Sequence, residues 1–145
     1  MVTVGIIGAG RIGKVHTESI CNYVRNAKIK TVADPFMNET TEKWLISMGV
    51  EGTTKDYHEI LNDPEIEAVT VETEEIYLTK YALKAVKAKK HIHMEKPGGL
   101  SLSEFEEMIS IAKANGTVFH TGYMYRYNPI LSNLIERIDR GELGD

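Results

Sequence analysis

Short apolar runs alternate with amphipathic stretches along the whole chain, with no low-complexity tract and no repeat of fixed length. That alternation predicts a parallel sheet wound with helices, because each buried strand needs a helical crossover to return. The strands read from the apolar runs are Thr3 to Ile7, Ile29 to Ala33, Val50 to Thr53, Ala68 to Thr73, His91 to Glu95 and Thr117 to Thr121. Between them, Ile12, Val15, Ser19, Ile20 and Tyr23 recur at helical spacing, as do Leu102, Phe105, Met108, Ile109 and Ala112. These two stripes are expected to face the sheet. A last helix carries Ile130, Leu131, Leu134, Ile135 and Ile138 on one face.

Punctuation residues set the element ends. Ser101 stands three before Glu104 and Asp56 three before Glu59, the spacing of a capping box that opens a helix. Gly49 and Gly116 fall just past helical stretches, where a left-handed residue closes a helix. Asp63-Pro64 marks a loop, since a proline pushes the residue before it out of helical geometry.

The strongest local signal is Gly8-Ala9-Gly10-Arg11-Ile12-Gly13, which follows Val4-Gly5-Ile6-Ile7 and opens the first helix. In a G-x-G-x-x-G loop, Gly8 permits the turn, Gly10 lets a pyrophosphate approach the backbone and Gly13 allows close packing of helix on strand. Asp34 ends the second strand about 20 residues further on, where a carboxylate accepts hydrogen bonds from the ribose hydroxyls of an adenosine. It also repels a 2'-phosphate, so NAD is favoured over NADP. Gly8 to Gly13 with Lys14 also spells the loop of a nucleoside triphosphate site. That reading fails because Val15 stands where a Ser or Thr is needed for magnesium.

With 145 residues, 17 basic and 21 acidic side chains and a net charge of -4, the chain is sized for one domain and offers no general field for nucleic acid or membrane. No apolar run is long enough to span a bilayer. Cys21 is the lone cysteine, which excludes an internal disulfide. With no charged-then-apolar leader, a reducing, cytoplasmic location is expected.

His93-Met94-Glu95-Lys96-Pro97 follows the fifth strand, and Gly122-Tyr123-Met124-Tyr125-Arg126-Tyr127-Asn128-Pro129 follows the sixth. With the glycine loop and Asp34, these segments resemble the N-terminal half of the Gfo/Idh/MocA oxidoreductases. Up to about Pro64 the chain is most similar to myo-inositol dehydrogenases. The resemblance implies a Rossmann-type, doubly wound parallel sheet of six strands in the order 3-2-1-4-5-6. It also implies an NAD-binding domain over residues 1–140, with 141–145 beginning a linker to a second domain that is absent. Hydride then moves between the nicotinamide and a carbon bearing a hydroxyl on a sugar or polyol, a substrate that needs the second domain.

The resemblance makes Lys96 the catalytic residue, in contact with the reacting hydroxyl, with Pro97 fixing its direction. A lysine beside the positive nicotinamide ring is disfavoured as a cation, which suits it to exchange a proton with that hydroxyl. Glu95 serves as a structural or cofactor-side partner. Thr73 and Arg126 join Gly8, Gly10, Arg11, Ile12, Gly13 and Asp34 on the cofactor side, with Tyr125 and Asn128 beside the nicotinamide. An isolated dinucleotide-binding module without catalytic activity is the alternative. Apolar surface at the last helix and the sheet edge leads to the expectation of a homo-oligomer.

Two departures stand out from the family pattern. Glu72-Thr73-Glu74-Glu75 follows the fourth strand in place of Thr-Pro, gathering three carboxylates where phosphates would lie, unless one of them binds ribose. Lys89-Lys90 replaces Gly-Lys, placing a lysine in a left-handed cap. His91 and His93 share a strand face, but no paired cysteines or helix-spaced histidines accompany them, so packed strand histidines and no metal are expected. His16, His58 and His120 have no motif context.

Overall fold

The computed structural model describes residues 1–142 and 144; Leu143 and Asp145, part of the expected linker, lie outside the described residues. The strands are β1 (Val2–Ile7), β2 (Ala27–Ala33), β3 (Gly52–Thr54), β4 (Ala68–Val71), β5 (His91–Met94) and β6 (Phe119–Thr121). The helices are α1 (Arg11–Tyr23), α2 (Glu39–Ser47), α3 (Tyr57–Asn62), α4 (Glu75–Lys87), α5 (Leu102–Asn115) and α6 (Pro129–Asp139), with a 3-10 turn at Met124–Tyr127. All neighbouring strands pair in parallel, in the order β3-β2-β1-β4-β5-β6. This is the expected doubly wound Rossmann-type sheet.

Strand residues alternate between two cores. Val4, Ile6, Ile29 and Val32 pack with Met37 and Leu45 on the α1 and α2 side. Ile7, Val69, Val71, Ile92 and Met94 pack with Ile60, Leu78, Ala82, Val86, Met108 and Ala112 on the α3, α4 and α5 side. Along β5 the alternation is polar and apolar: Ile92 and Met94 are buried while His91 and His93 point to the other face.

The helical stripes need correction. Tyr23 of α1 is 79% exposed and Val15 is 49% exposed, whereas the buried residues of that helix are Gly13 and Thr17. Small residues bring α1 close to the loop beneath it: a Cβ on Gly13 would lie 2.0 Å from the Gly8 carbonyl oxygen. Thr17 folds its hydroxyl back onto the Gly13 carbonyl, and only Ile20 and Cys21 reach the core. Burial pushes the Cys21 thiol up, away from nucleophilic character. In α5, Met108 and Ala112 are buried but Leu102 lies exposed. The apolar stripe of α6 is present and uncovered, with Ile130, Leu134, Ile135 and Ile138 exposed.

Strand ends also shift. Thr117 donates its amide to Ala112 and so closes α5, which delays β6 to Phe119. Gly116 at the end of that helix is left-handed, as its position implies (φ 68°). Asn38, Asp56, Ser101 and Asn128 cap their helices.

Lys89 takes a left-handed conformation (φ 60°), the one positive φ of a non-glycine residue among those described. Its neighbour Lys90 is buried and donates to the carbonyls of Asp63 (2.6 Å) and Ile66 (2.8 Å), holding the loop that precedes β4. Burial lowers its proton affinity, partly opposed by Asp63. Two outcomes follow for urea unfolding. Lys89→Gly is expected to stabilise the fold by about 1 kcal/mol through relief of the left-handed cap. Lys90→Met is expected to cost about 2 kcal/mol by removing both bonds, which leaves the Asp63 carbonyl with the Ile66 amide but strips the Ile66 carbonyl of its lysine donor.

Candidate functional site

Strands β1 and β4 are neighbours, yet the chain leaves β1 toward β2 and leaves β4 toward β5, on opposite sides. The divergence opens a crevice at the carboxyl ends of the strands, the place where open α/β sheets take ligands. Here it forms a cleft of about 880 Å³. Four of the six α-helices have a side chain bonded to their first-turn amides, from Asn38, Asp56, Ser101 and Asn128. Helices α1 and α4 have no such cap. Both open ends border the cleft, through Gly10 and Arg11 on one side and Glu74 and Glu75 on the other. Unbonded amides at a helix start form an anion site. The first turn of α1 carries no acidic residue, unlike that of α4.

The loop between β1 and α1 is built around its glycines. Gly8 has φ 106°, and a Cβ there would lie 2.6 Å from the Glu72 carbonyl oxygen. Gly10 is different, because a Cβ at that position would meet nothing within 4 Å. The fold itself does not need glycine at position 10; the open space belongs to the cleft. Asp34 accepts the Ala9 amide on Oδ2 at 2.7 Å and the Phe36 amide on Oδ1 at 2.8 Å. Its carboxylate is thereby fixed between the glycine loop and the end of β2. Phe36, two residues on, lies 88% exposed on the same cleft.

Of the residues singled out from the sequence, Gly8, Gly10, Arg11, Ile12, Asp34, Thr73, Glu95 and Lys96 line the cleft together. Gly13 supports Gly8 from below. Lys96 is exposed and donates its amide to Glu95 Oε2 at 3.2 Å, and the Lys96–Pro97 bond is cis. Pro97 and Arg126 do not line the cleft; Arg126 lies exposed on the 3-10 turn. Asn128 caps α6, and Tyr125 is exposed. Sequence spacing gave no sign of Lys55, Tyr57, Tyr77 and Tyr81, which the loop after β3, the start of α3 and α4 bring to the cleft from distant positions.

The three carboxylates after β4 separate. Glu74 and Glu75 stay exposed at the cleft rim. Glu72 turns inward: its side chain is fully buried, and Oε1 lies 2.6 Å from His16 Nδ1. His16 Nε2 in turn lies 3.7 Å from Glu95 Oε1. The hydrogen bond with Glu72 raises the His16 pKa against the opposing effect of burial, with the Glu72 and Glu95 charges adding to the rise. His93 packs its ring edge against His16 at 5.2 Å between centroids. Burial first, then the neighbouring His16 and His120, push the His93 pKa down to about 4. His93 Nδ1 bonds His120 Nδ1 at 2.8 Å, and His120 Nε2 lies 3.1 Å from the Tyr127 hydroxyl. His91 accepts the Val118 amide, and His58 pairs with Asp56. The cluster was invisible in the sequence because its members sit on three separate strands and a helix.

Comparison with known proteins agrees with this architecture. Residues 2–123 match the oxidoreductase family with an NAD-binding Rossmann fold, Gfo/Idh/MocA. The chain is 33% identical over 143 residues to the scyllo-inositol 2-dehydrogenase (NAD(+)) of Bacillus subtilis, covering 99% of this chain and 42% of that protein. It is 32% identical over 144 residues to the myo-inositol 2-dehydrogenase of Thermotoga maritima, covering 97% of this chain and 42% of the relative. Among solved structures, scyllo-inositol dehydrogenase from Lactobacillus casei with bound NAD(H) and scyllo-inositol superposes with a TM-score of 0.87 at 25% identity, over all of this chain and 43% of that one. The chain therefore spans less than half the length of these relatives. A glycine loop on an uncapped helix, a strand-end aspartate, a Glu-Lys-Pro turn beside the same cleft and a match along most of the sequence lead to one conclusion: the chain belongs to the Gfo/Idh/MocA oxidoreductase family, as its NAD-binding Rossmann domain.

Proposed function

We propose that the cleft binds NAD and that the chain is the cofactor-holding part of a dehydrogenase acting on a polyol hydroxyl. The observation that carries this reading is the uncapped start of α1 beside the empty volume at Gly10. The pyrophosphate is assigned to those amides, the adenosine ribose to Asp34 and the adenine to the side of Phe36. Asp34 favours NAD over NADP, since its fixed carboxylate repels a 2'-phosphate. The nicotinamide end is assigned to the region of Thr73, Glu95 and Lys96.

Bound NAD supplies the hydride acceptor. Lys96, exposed on the cleft, hydrogen-bonds the substrate hydroxyl and takes its proton as the carbonyl forms. The substrate class rests on the inositol dehydrogenases to which the chain is similar. The uncovered apolar stripe of α6 supports self-association, which light scattering would overturn by reporting a monomer at high concentration.

Calorimetric titration is expected to show saturable binding of NAD and weaker binding of NADP. Gly10→Ala is expected to weaken binding with thermal unfolding unchanged, because the added Cβ enters cofactor space and meets nothing of the fold within 4 Å. Asp34→Ala is expected to weaken NAD by about 2 kcal/mol and narrow the margin over NADP. The absence of saturable heat at millimolar NAD would overturn the reading. Glu74→Gln combined with Glu75→Gln is expected to tighten NAD several-fold at low salt, with the gain fading as ionic strength rises.

A further inference from the structure

We propose that His16, Glu72 and His93 form a binding site for a divalent first-row transition ion, zinc in the simplest case, which clamps α1 to the ends of β4 and β5 beneath the cofactor cleft. Each residue offers one ligand atom, and the three atoms lie within 4.8 Å of one another. Zinc held at about 2.0–2.2 Å from nitrogen and oxygen ligands draws such atoms together by small side-chain rotations.

The second observation is a group of buried atoms with nothing to bond. Among the described residues, the buried side-chain polar atoms without a partner are Glu72 Oε2, His93 Nε2 and Thr70 Oγ1. These three residues are neighbours. Thr70 pairs in register with His93 across β4 and β5, and Glu72 follows Thr70 on the same face of its strand. Buried polar atoms are nearly always satisfied, so a carboxylate oxygen and an imidazole nitrogen left open together mark a place for a ligand. An ion there satisfies both and balances the charge of a fully buried carboxylate.

The surrounding bonds already orient the ligands. With its proton on Nδ1, His93 donates to His120 Nδ1, which leaves the buried Nε2 with a lone pair and no partner. His120 is held in turn by the Tyr127 hydroxyl. On the other side, the Glu95 carboxylate lies 3.7 Å from His16 Nε2, a charge contact longer than a hydrogen bond, and Nδ1 is the nitrogen toward Glu72. Metal-binding histidines are commonly backed in this way by a partner on the second ring nitrogen. Two imidazoles and one carboxylate select a transition ion over magnesium or calcium, which take oxygen ligands.

The test uses the metal-stripped 145-residue protein without cofactor, so that its outcome is independent of dinucleotide binding. Cobalt(II) titration is expected to saturate at one equivalent with a visible d–d band of a low-symmetry nitrogen and oxygen site. Zinc at about a hundred-fold excess over Kd is expected to raise Tm by roughly 5 to 10 °C, with no shift from magnesium. His93→Leu and Glu72→Gln are expected to lose the band and the shift, while His58→Ala, at a surface imidazole, keeps both. Should either core variant fail to fold, the wild-type cobalt spectrum and the zinc-against-magnesium contrast decide alone. No stoichiometric cobalt uptake by the wild type, an equal response to magnesium, or an undiminished band in folded His93→Leu would each overturn the site.

Discussion

Every strand of this sheet points its carboxyl end the same way, and at β1 and β4 the chain departs in opposite directions. The site depends on that single topological constraint, because it leaves two helix starts facing one crevice with no strand between them. A helix start with free amides needs something to bond. Elsewhere a side chain from Asn38, Asp56, Ser101 or Asn128 supplies it; at α1 and α4 none does. The glycine loop follows from the same demand. Gly8 turns tightly against Glu72, Gly13 lets α1 sit close on the Gly8 carbonyl, and the start of α1 lines one cleft with Asp34, Glu95 and Lys96.

The opposite need, compensation of a buried charge, shapes the side of the sheet that faces α1. Glu72 carries a carboxylate with no solvent contact, a state that costs several kcal/mol unless paired and hydrogen-bonded. His16 provides the pairing from the second turn of α1, the same helix whose first turn faces the cleft. The pair therefore ties the axis of α1 to the end of β4 by a polar contact where hydrophobic packing is thin. In this segment the core of α1 is limited to Gly13 and Thr17. The contact also links the floor of the cleft to Glu95, one residue before Lys96.

The sequence carried the six strands and the glycine loop, because each depends on local pattern or on a motif with fixed geometry, while the strand order came from the family resemblance. It misplaced the inner face of α1 because hydrophobic periodicity marks large side chains. Here close approach is achieved by a glycine and a threonine, leaving Val15 and Tyr23 outside. The family pattern, with Lys89 standing where a glycine is usual, placed Lys89 in a left-handed cap, and its φ of 60° agrees. The cluster of His16, Glu72, His93 and His120 lay beyond reach. Alternation along His91-Ile92-His93-Met94 tells which residues share a face, but not what that face meets. Glu72, grouped in the sequence with Glu74 and Glu75, separates from them because it continues the alternation of β4 while the other two begin a helix.

The two open helix starts are not equivalent, and the difference gives the cleft its polarity. The macrodipole of α4 is already met by Glu74 at its cap and Glu75 in its first turn, so that end offers little to a phosphate. The first turn of α1 has no such carboxylate, and Arg11 stands beside it on the cleft. Of the two open helix starts on this otherwise acidic crevice, the α1 start is therefore the one whose positive end is not already met by a carboxylate in its own first turn. The open groups at the start of α1 are backbone amides, so that property does not depend on side-chain identity. Asp34 and Lys96 add side-chain chemistry to the same cleft, the one fixed by two backbone amides and the other exposed.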